Sequence, residues 1–316
     1  RDIVESARAL GRFIEEKRRY VAEETERRYG IRGYEPRFDI VAHSTGALVA
    51  RYYLRYGDAD LPPSGQAPVP TWAGARSVER VVLVGPPNAG AVEVLENLVE
   101  GDRPAALFPF YPAAVLGTMP ALYQLLPRGR HGALEDEDGQ PLEDLFDPAF
   151  WRENQWGLAD PGQDEVLARL LPEVENPAAR RRVALEHQEK SLLRARRFVE
   201  AMDAPARLPP GVDLLLVTGD SVATLKTLGI RGRGFEIRAT APGDGTVLRS
   251  SALLDERSPE ERRQRLTTPI DWTQVLFLSA DHRGITGHPG FVDNVLHFLL
   301  ESPGRHSAIT EGGVSR

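Results

Sequence analysis

The chain contains no cysteine, which removes thiol nucleophiles, disulfides and cysteine-based metal sites together and carries no information about redox compartment. A basic excess is missing too. Its 39 lysines and arginines, almost all arginine, face 46 aspartates and glutamates, for a net charge of −7. A nucleic-acid binder would need a basic face, so that class is set aside. No secretory leader pattern and no internal repeat is visible. One stretch, Ala105–Leu126, has no charged residue and is long enough to span a bilayer. Pro109, Pro112, Pro120 and Gly117 break it into pieces too short to cross, so the chain reads as soluble, with its compartment open. Two glycine patterns fail as phosphate loops. Gly85–Gly90 is followed by Ala91 and Val92 where a lysine and a hydroxyl residue are needed. Gly229–Gly234 has its glycines in the wrong order for a dinucleotide. No cofactor and no metal is read from the sequence.

What the chain does contain is a short apolar run, Phe38–Ala42, leading into Ala42-His43-Ser44-Thr45-Gly46 and then an apolar helical pattern through Leu54. Strand, sharp turn and helix with serine at the apex is the layout of a nucleophile elbow. Such a turn strains the serine backbone, so the residues two before and two after should be small; Ala42 and Gly46 are. The N–H of Thr45, at the helix N-terminus, would face a developing oxyanion. The bland alternative is a serine N-cap of an ordinary helix.

A serine needs a base, and the base an acid to orient it. His282 follows the strand-like run Gln274–Leu278, at the carboxyl end of a strand where functional groups collect in open α/β sheets. Two aspartates compete for the acid. Asp220 directly follows another strand-like run, and Asp244 lies between Gly243 and Gly245 on a tight loop. Either gives the chain order Ser…Asp…His. His43 flanks the elbow and should pack beside the turn. His131, His187, His288, His297 and His306 are poorer base candidates, and a zinc site from His282 and His288 lacks a supporting ligand pair.

With these pieces the chain resembles the lecithin:cholesterol acyltransferase-like branch of the α/β-hydrolases, especially its bacterial lipase-like members. The matching stretches are Ala42–Tyr53, Val81–Gly90, Tyr123–Pro127, Gly243–Val247 and Asp281–Ile285, within roughly residues 35 to 300. The resemblance implies that Asp244, in Gly243-Asp244-Gly245-Thr246-Val247, is the acid in preference to Asp220. Thr45, Ala47 and Leu248 depart from the residues common there, and no catalytic group is lost. The family's early strands, which carry the second oxyanion donor, have no counterpart before the elbow. Residues 1–29 instead show a helical pattern through Ile3, Ala7, Leu10, Ile14 and Val21, and the chain starts with Arg1. The expectation is a C-terminal portion of a longer protein, lacking its first strands and one oxyanion donor. Losing such a donor costs about 2.7–4 kcal/mol of transition-state stabilisation.

The expected fold is thus α/β: an α/β-hydrolase with a mostly parallel sheet and a helical cap insertion. Four buried strand runs recur, Phe38–Ala42, Arg80–Val84, Asp213–Val217 and Gln274–Leu278. Residues 1–90 form the first part of the core, 91–208 the cap, 209–300 the second part with acid and base, and 301–316 an irregular tail. In the cap, Ser191–Met202 reads as an amphipathic helix, and Phe108, Phe110, Tyr111 and Met119 as an apolar wall for substrate, with scope for transient contact with a lipid surface. The function expected is hydrolysis of a lipid-like carboxylic ester through an acyl-enzyme on Ser44, with Asp244 and His282 completing the triad and Thr45 N–H in the oxyanion hole. The alternatives are acyl transfer to an alcohol and a non-catalytic interaction module; an intact triad argues against the second.

Overall fold

The computed structural model describes residues 1–104, 107–257, 261 and 265–301. Ala105, Ala106, His306 and the tail beyond Glu301 lie outside the described residues. A parallel sheet forms the centre, with strands β1 (Phe38–His43), β2 (Val78–Val84), β4 (Asp213–Gly219) and β7 (Gln274–Leu278) side by side in that order. All seven residues of β4 are buried, as expected of a central strand covered on both faces. The outer strands β1 and β7 show more exposure, and among the described residues β1 has a neighbour on one side only.

Alternation along β2 divides the core. Val81 and Leu83 pack with helix α1 (Ile3–Tyr29) and helix α2 (Thr45–Tyr56), whereas Val82 and Val84 pack with helix α10 (Pro289–Leu300) through Val295 and Phe298. Successive strand side chains point to opposite faces, so one run of valine and leucine supplies both halves. Helix α1 starts at an Asp2–Glu5 capping box and ends at Gly30 in the left-handed region. Its first half carries the buried Ile3, Val4, Ala7 and Ile14; its second half is a solvated stretch of Arg–Glu pairs.

Between β2 and β4 the chain builds helices α3 (Val92–Glu100), α4 (Ala113–Gly117), α5 (Pro120–Tyr123), α6 (Pro148–Glu153), α7 (Asp164–Leu170) and α8 (Pro177–Asp203). The uncharged stretch is broken as its prolines require, into α4 and α5. Helix α8 begins well before the apolar face at Leu192, Ala195, Val199 and Met202. Asn176 caps it with Pro177 in the first position, and its opening turns are polar. Among the described residues no helix is long and apolar enough to cross a membrane.

Sequence reading did not anticipate a second sheet. Strands β5 (Val222–Arg231) and β6 (Gly234–Gly243) form an antiparallel hairpin, joined along β5 by the short β3 (Leu134–Glu135). The Gly229–Gly234 pattern is the end of this hairpin, with Gly232 at φ 62° in its turn. Because β3 belongs to residues 91–208 and β5 to residues 209–300, the insertion and the second part of the core share a sheet.

Charged groups fasten the insertion further. Arg128, almost wholly buried, makes two 3.0 Å hydrogen bonds to the Asp203 carboxylate and one of 2.9 Å to the Asn88 carbonyl. Arg130 bridges Asp203 at 2.8 Å and Glu256 at 2.6 Å, and His131 lies 3.1 Å from Glu256. Burial alone would raise both carboxyls. The facing Arg128 and Arg130 outweigh it at Asp203, and His131 with Arg130 draws Glu256 down to about 2. Both groups are more acidic folded than unfolded. Their stabilisation is therefore present above the ordinary carboxylate range and lost as pH falls through the folded values. The melting temperature should fall between pH values of about 4.3 and 2, and less steeply in Glu256→Gln. Melting curves across that range check this, and identical slopes would contradict it.

Candidate active site

Ser44 joins β1 to α2 with φ 55° and ψ −129°, a backbone state that non-glycine residues rarely adopt. Its N–H still bonds the Val84 carbonyl at 2.8 Å, so the chain leaves the sheet only after this contact. The Ser44 hydroxyl makes no capping bond to α2. It lies instead 2.9 Å from Nε2 of His282. A Cβ at Gly46 would meet nothing within 4 Å.

Nδ1 of His282 lies 2.8 Å from Oδ2 of Asp244. A carboxylate only accepts, so Nδ1 carries the proton and Nε2 is free to accept from Ser44. Asp244 follows β6 and is 1% exposed. Its Oδ1 accepts from the N–H groups of Thr246 at 3.1 Å and Val247 at 2.7 Å. Its carbonyl accepts from the His282 N–H at 2.8 Å. Gly245, at φ 96°, donates to Thr224 Oγ1 on β5 at 2.8 Å, which ties the acid loop to the hairpin. Both oxygens of this buried carboxylate therefore have hydrogen-bond partners. The rival Asp220 lies 3.8 Å from Arg249 and takes no part.

Two glycines that the sequence reading did not connect with the site make room for this pair. A Cβ on Gly85, at the end of β2 with φ 52°, would sit 3.1 Å from both Asp244 Oδ2 and His282 Nδ1. One on Gly219, at the end of β4, would sit 2.7 Å from the Asp244 Cβ. The glycine after a strand was legible; that it abuts the acid was not. Thr45 opens α2, where the first N–H groups have no acceptor within the helix and the helix dipole favours negative charge.

Glu93, half-buried in the first turn of α3, faces Thr246. Burial raises its carboxyl above the usual range and Asp102 adds to this, while the Thr246 hydroxyl, His282 and Arg283 pull it down. The apolar residues expected to wall the substrate, Phe108, Phe110, Tyr111 and Met119, follow α3 in the chain. The Phe110 ring would contact a Cβ at Gly101, just beyond α3, and Tyr111 pairs with Asp102 through two backbone bonds of 2.9 and 2.7 Å. Phe108, Phe110 and Met119 are all about half exposed. A cavity of 590 Å³ opens under Arg128, Arg130, His131 and Leu248, and none of Ser44, Asp244 and His282 lines it. His288 caps α10, and His297 bonds Glu301. Among the described residues, no three histidine, aspartate or glutamate side chains gather as a metal would need.

A hydroxyl, an imidazole and a buried carboxylate in this relay can remove the serine proton during attack on an electrophilic carbon. No protein-family model matches the chain, and no curated protein does. Among solved structures, the crystal structure of a Tle4–Tli4 complex is similar, with a TM-score of 0.50 and 15% identity over 80% of this chain and 57% of that one. The likeness is one of fold, helices around a mostly parallel sheet, and this chain spans a little over half the length of that one.

Gly85→Ala should destabilise the protein by more than about 1 kcal/mol, because alanine is strained at positive φ. It should also displace the Asp244–His282 pair. Denaturant titration and the His282 Nδ1 proton resonance measure the two effects; an equally stable variant with an unmoved resonance would contradict the packing described.

Proposed function

We propose that this chain is a serine hydrolase of the lecithin:cholesterol acyltransferase-like, lipase-like branch of the α/β-hydrolases, cleaving carboxylic esters of lipid-like substrates. The observation that carries the reading is the positive-φ Ser44 with its hydroxyl 2.9 Å from His282, itself 2.8 Å from Asp244. The fold-level similarity to the Tle4–Tli4 structure is compatible with it and is not its basis.

In this reading His282 Nε2 takes the Ser44 proton as Oγ bonds to the acyl carbon. Asp244 holds the imidazole in its tautomer and stabilises the cation. The carbonyl oxygen becomes an oxyanion and accepts from the Thr45 N–H. As the intermediate collapses, His282 returns the proton to the departing alkoxide, releasing an alcohol and leaving an acyl ester on Ser44. Water then attacks with the same base, freeing the acid and restoring the serine. The lipid-like class rests on Leu107, Phe108, Phe110 and Met119, which present apolar side chains to solvent. Their exposure suits contact with the surface of a lipid aggregate.

Hydrolysis of p-nitrophenyl esters of graded acyl length tests the reading. Activity should favour longer chains and vanish in Ser44→Ala. Asp244→Asn should lower kcat by roughly four orders of magnitude with little change in fold. Equal hydrolysis by the wild type and Ser44→Ala would overturn the assignment.

A further inference from the structure

His43 ends β1 and precedes the elbow serine, and its contacts run to His282. Its Nε2 lies 2.8 Å from the His282 carbonyl oxygen. A carbonyl only accepts, so His43 donates and carries its proton on Nε2. The two imidazole rings also lie against one another, with centroids 4.8 Å apart and planes inclined by 37°. On its other side, the His282 N–H bonds the Asp244 carbonyl at 2.8 Å. The backbone of His282 is thereby held at both ends, by the acid's own peptide at the N–H and by the His43 ring at the carbonyl.

The strand register explains why position 43 can do this. Val41 and His43 pair with Val82 and Val84, whose side chains point to the α10 face of the sheet. Residue 43 is therefore directed to the face from which the 279–284 loop descends, while the next residue turns out of the sheet with its hydroxyl toward the same imidazole. One strand end presents two consecutive side chains to His282: the hydroxyl to its ring nitrogen and the imidazole to its backbone.

We propose that His43 is a positioning residue for His282, fixing the ring at the distance and angle needed to accept the Ser44 proton; this rests on the hydrolase reading above. Its hydrogen bond is the operative element and its ring is secondary. Glutamine can place an amide N–H near the position of Nε2, whereas phenylalanine keeps a ring and loses the donor.

Rates of Ser44 labelling by a fluorophosphonate, followed by intact mass, test this across wild type, His43→Ala, His43→Gln and His43→Phe. Misplacing a reacting group costs rate steeply, so His43→Ala and His43→Phe should label roughly ten- to a hundred-fold more slowly. His43→Gln should stay within about three-fold of wild type. With p-nitrophenyl esters the loss should fall on kcat, with KM unchanged. A labelled wild type and an equally fast His43→Ala would overturn the positioning role alone. Rescue by phenylalanine and not glutamine would overturn the hydrogen bond as its basis. Should the alanine variant fail to fold, the glutamine–phenylalanine comparison decides alone. An unlabelled wild type would overturn the hydrolase reading and this role with it.

Discussion

The backbone of Ser44 is held at φ 55° and ψ −129° between a strand and a helix, and the geometry of the site follows from that turn. A non-glycine residue in such a state costs about 1–3 kcal/mol, and persists only where its surroundings over-determine it. Here they do. The Ser44 N–H is held by Val84 across the sheet, and α2 buries Ala47, Leu48 and Ala50 immediately afterwards. Helix and strand are each anchored, so the serine between them has no relaxed alternative, and its hydroxyl is carried clear of the helix.

The other parts converge on that hydroxyl from neighbouring strand ends. Strand β2 runs into Gly85, β4 ends in Gly219, and β7 runs into the loop of His282. Parallel strands deliver all their carboxyl ends to one rim of the sheet, where loops from distant parts of the sequence meet. The acid arrives by a longer route, through the β5–β6 hairpin, and is locked by Thr246, Val247 and Thr224 before it touches the imidazole. Gly85 and Gly219 leave room for it where any side chain would intrude. The helical insertion is fixed to this rim by buried charge. Asn88, in the loop after β2, accepts from Arg51 and Arg128 and donates to the Ala252 carbonyl, so the base of the insertion and the segment after the acid share one buried residue.

Much of this was legible in the sequence. The central strands are continuous valine–leucine runs because both their faces are buried, and such runs stand out from a polar background. The elbow was legible because strand, small residues and helix occur in immediate succession. His282 was legible because it follows a strand. The acid was not decided by residue type or chain order, since Asp220 and Asp244 both lie between Ser44 and His282 in sequence; the family resemblance favoured Asp244, and the geometry brings that residue to His282. The hairpin stayed hidden. Residues of β6 such as Glu236, Arg238 and Thr240 face solvent or half-buried surroundings, and its cross-strand pairing has no local signature in a run broken by glycine. The exposure of the apolar stretch was hidden for a different reason. Composition marks Phe108, Phe110 and Met119 as apolar, but that each is about half exposed is decided by the fold and not by residue type.

The central claim is that Ser44 is an activated nucleophile carrying the acyl group between the two halves of an ester hydrolysis. Quenched-flow mixing with a slowly deacylating p-nitrophenyl ester, followed by peptide mass mapping, observes that intermediate directly. The account predicts a burst of nitrophenolate of up to one equivalent per chain, with the acyl mass on the peptide containing Ser44 and on no other. Turnover without a burst and without acyl mass on that peptide, or acyl mass on a different residue, would contradict it.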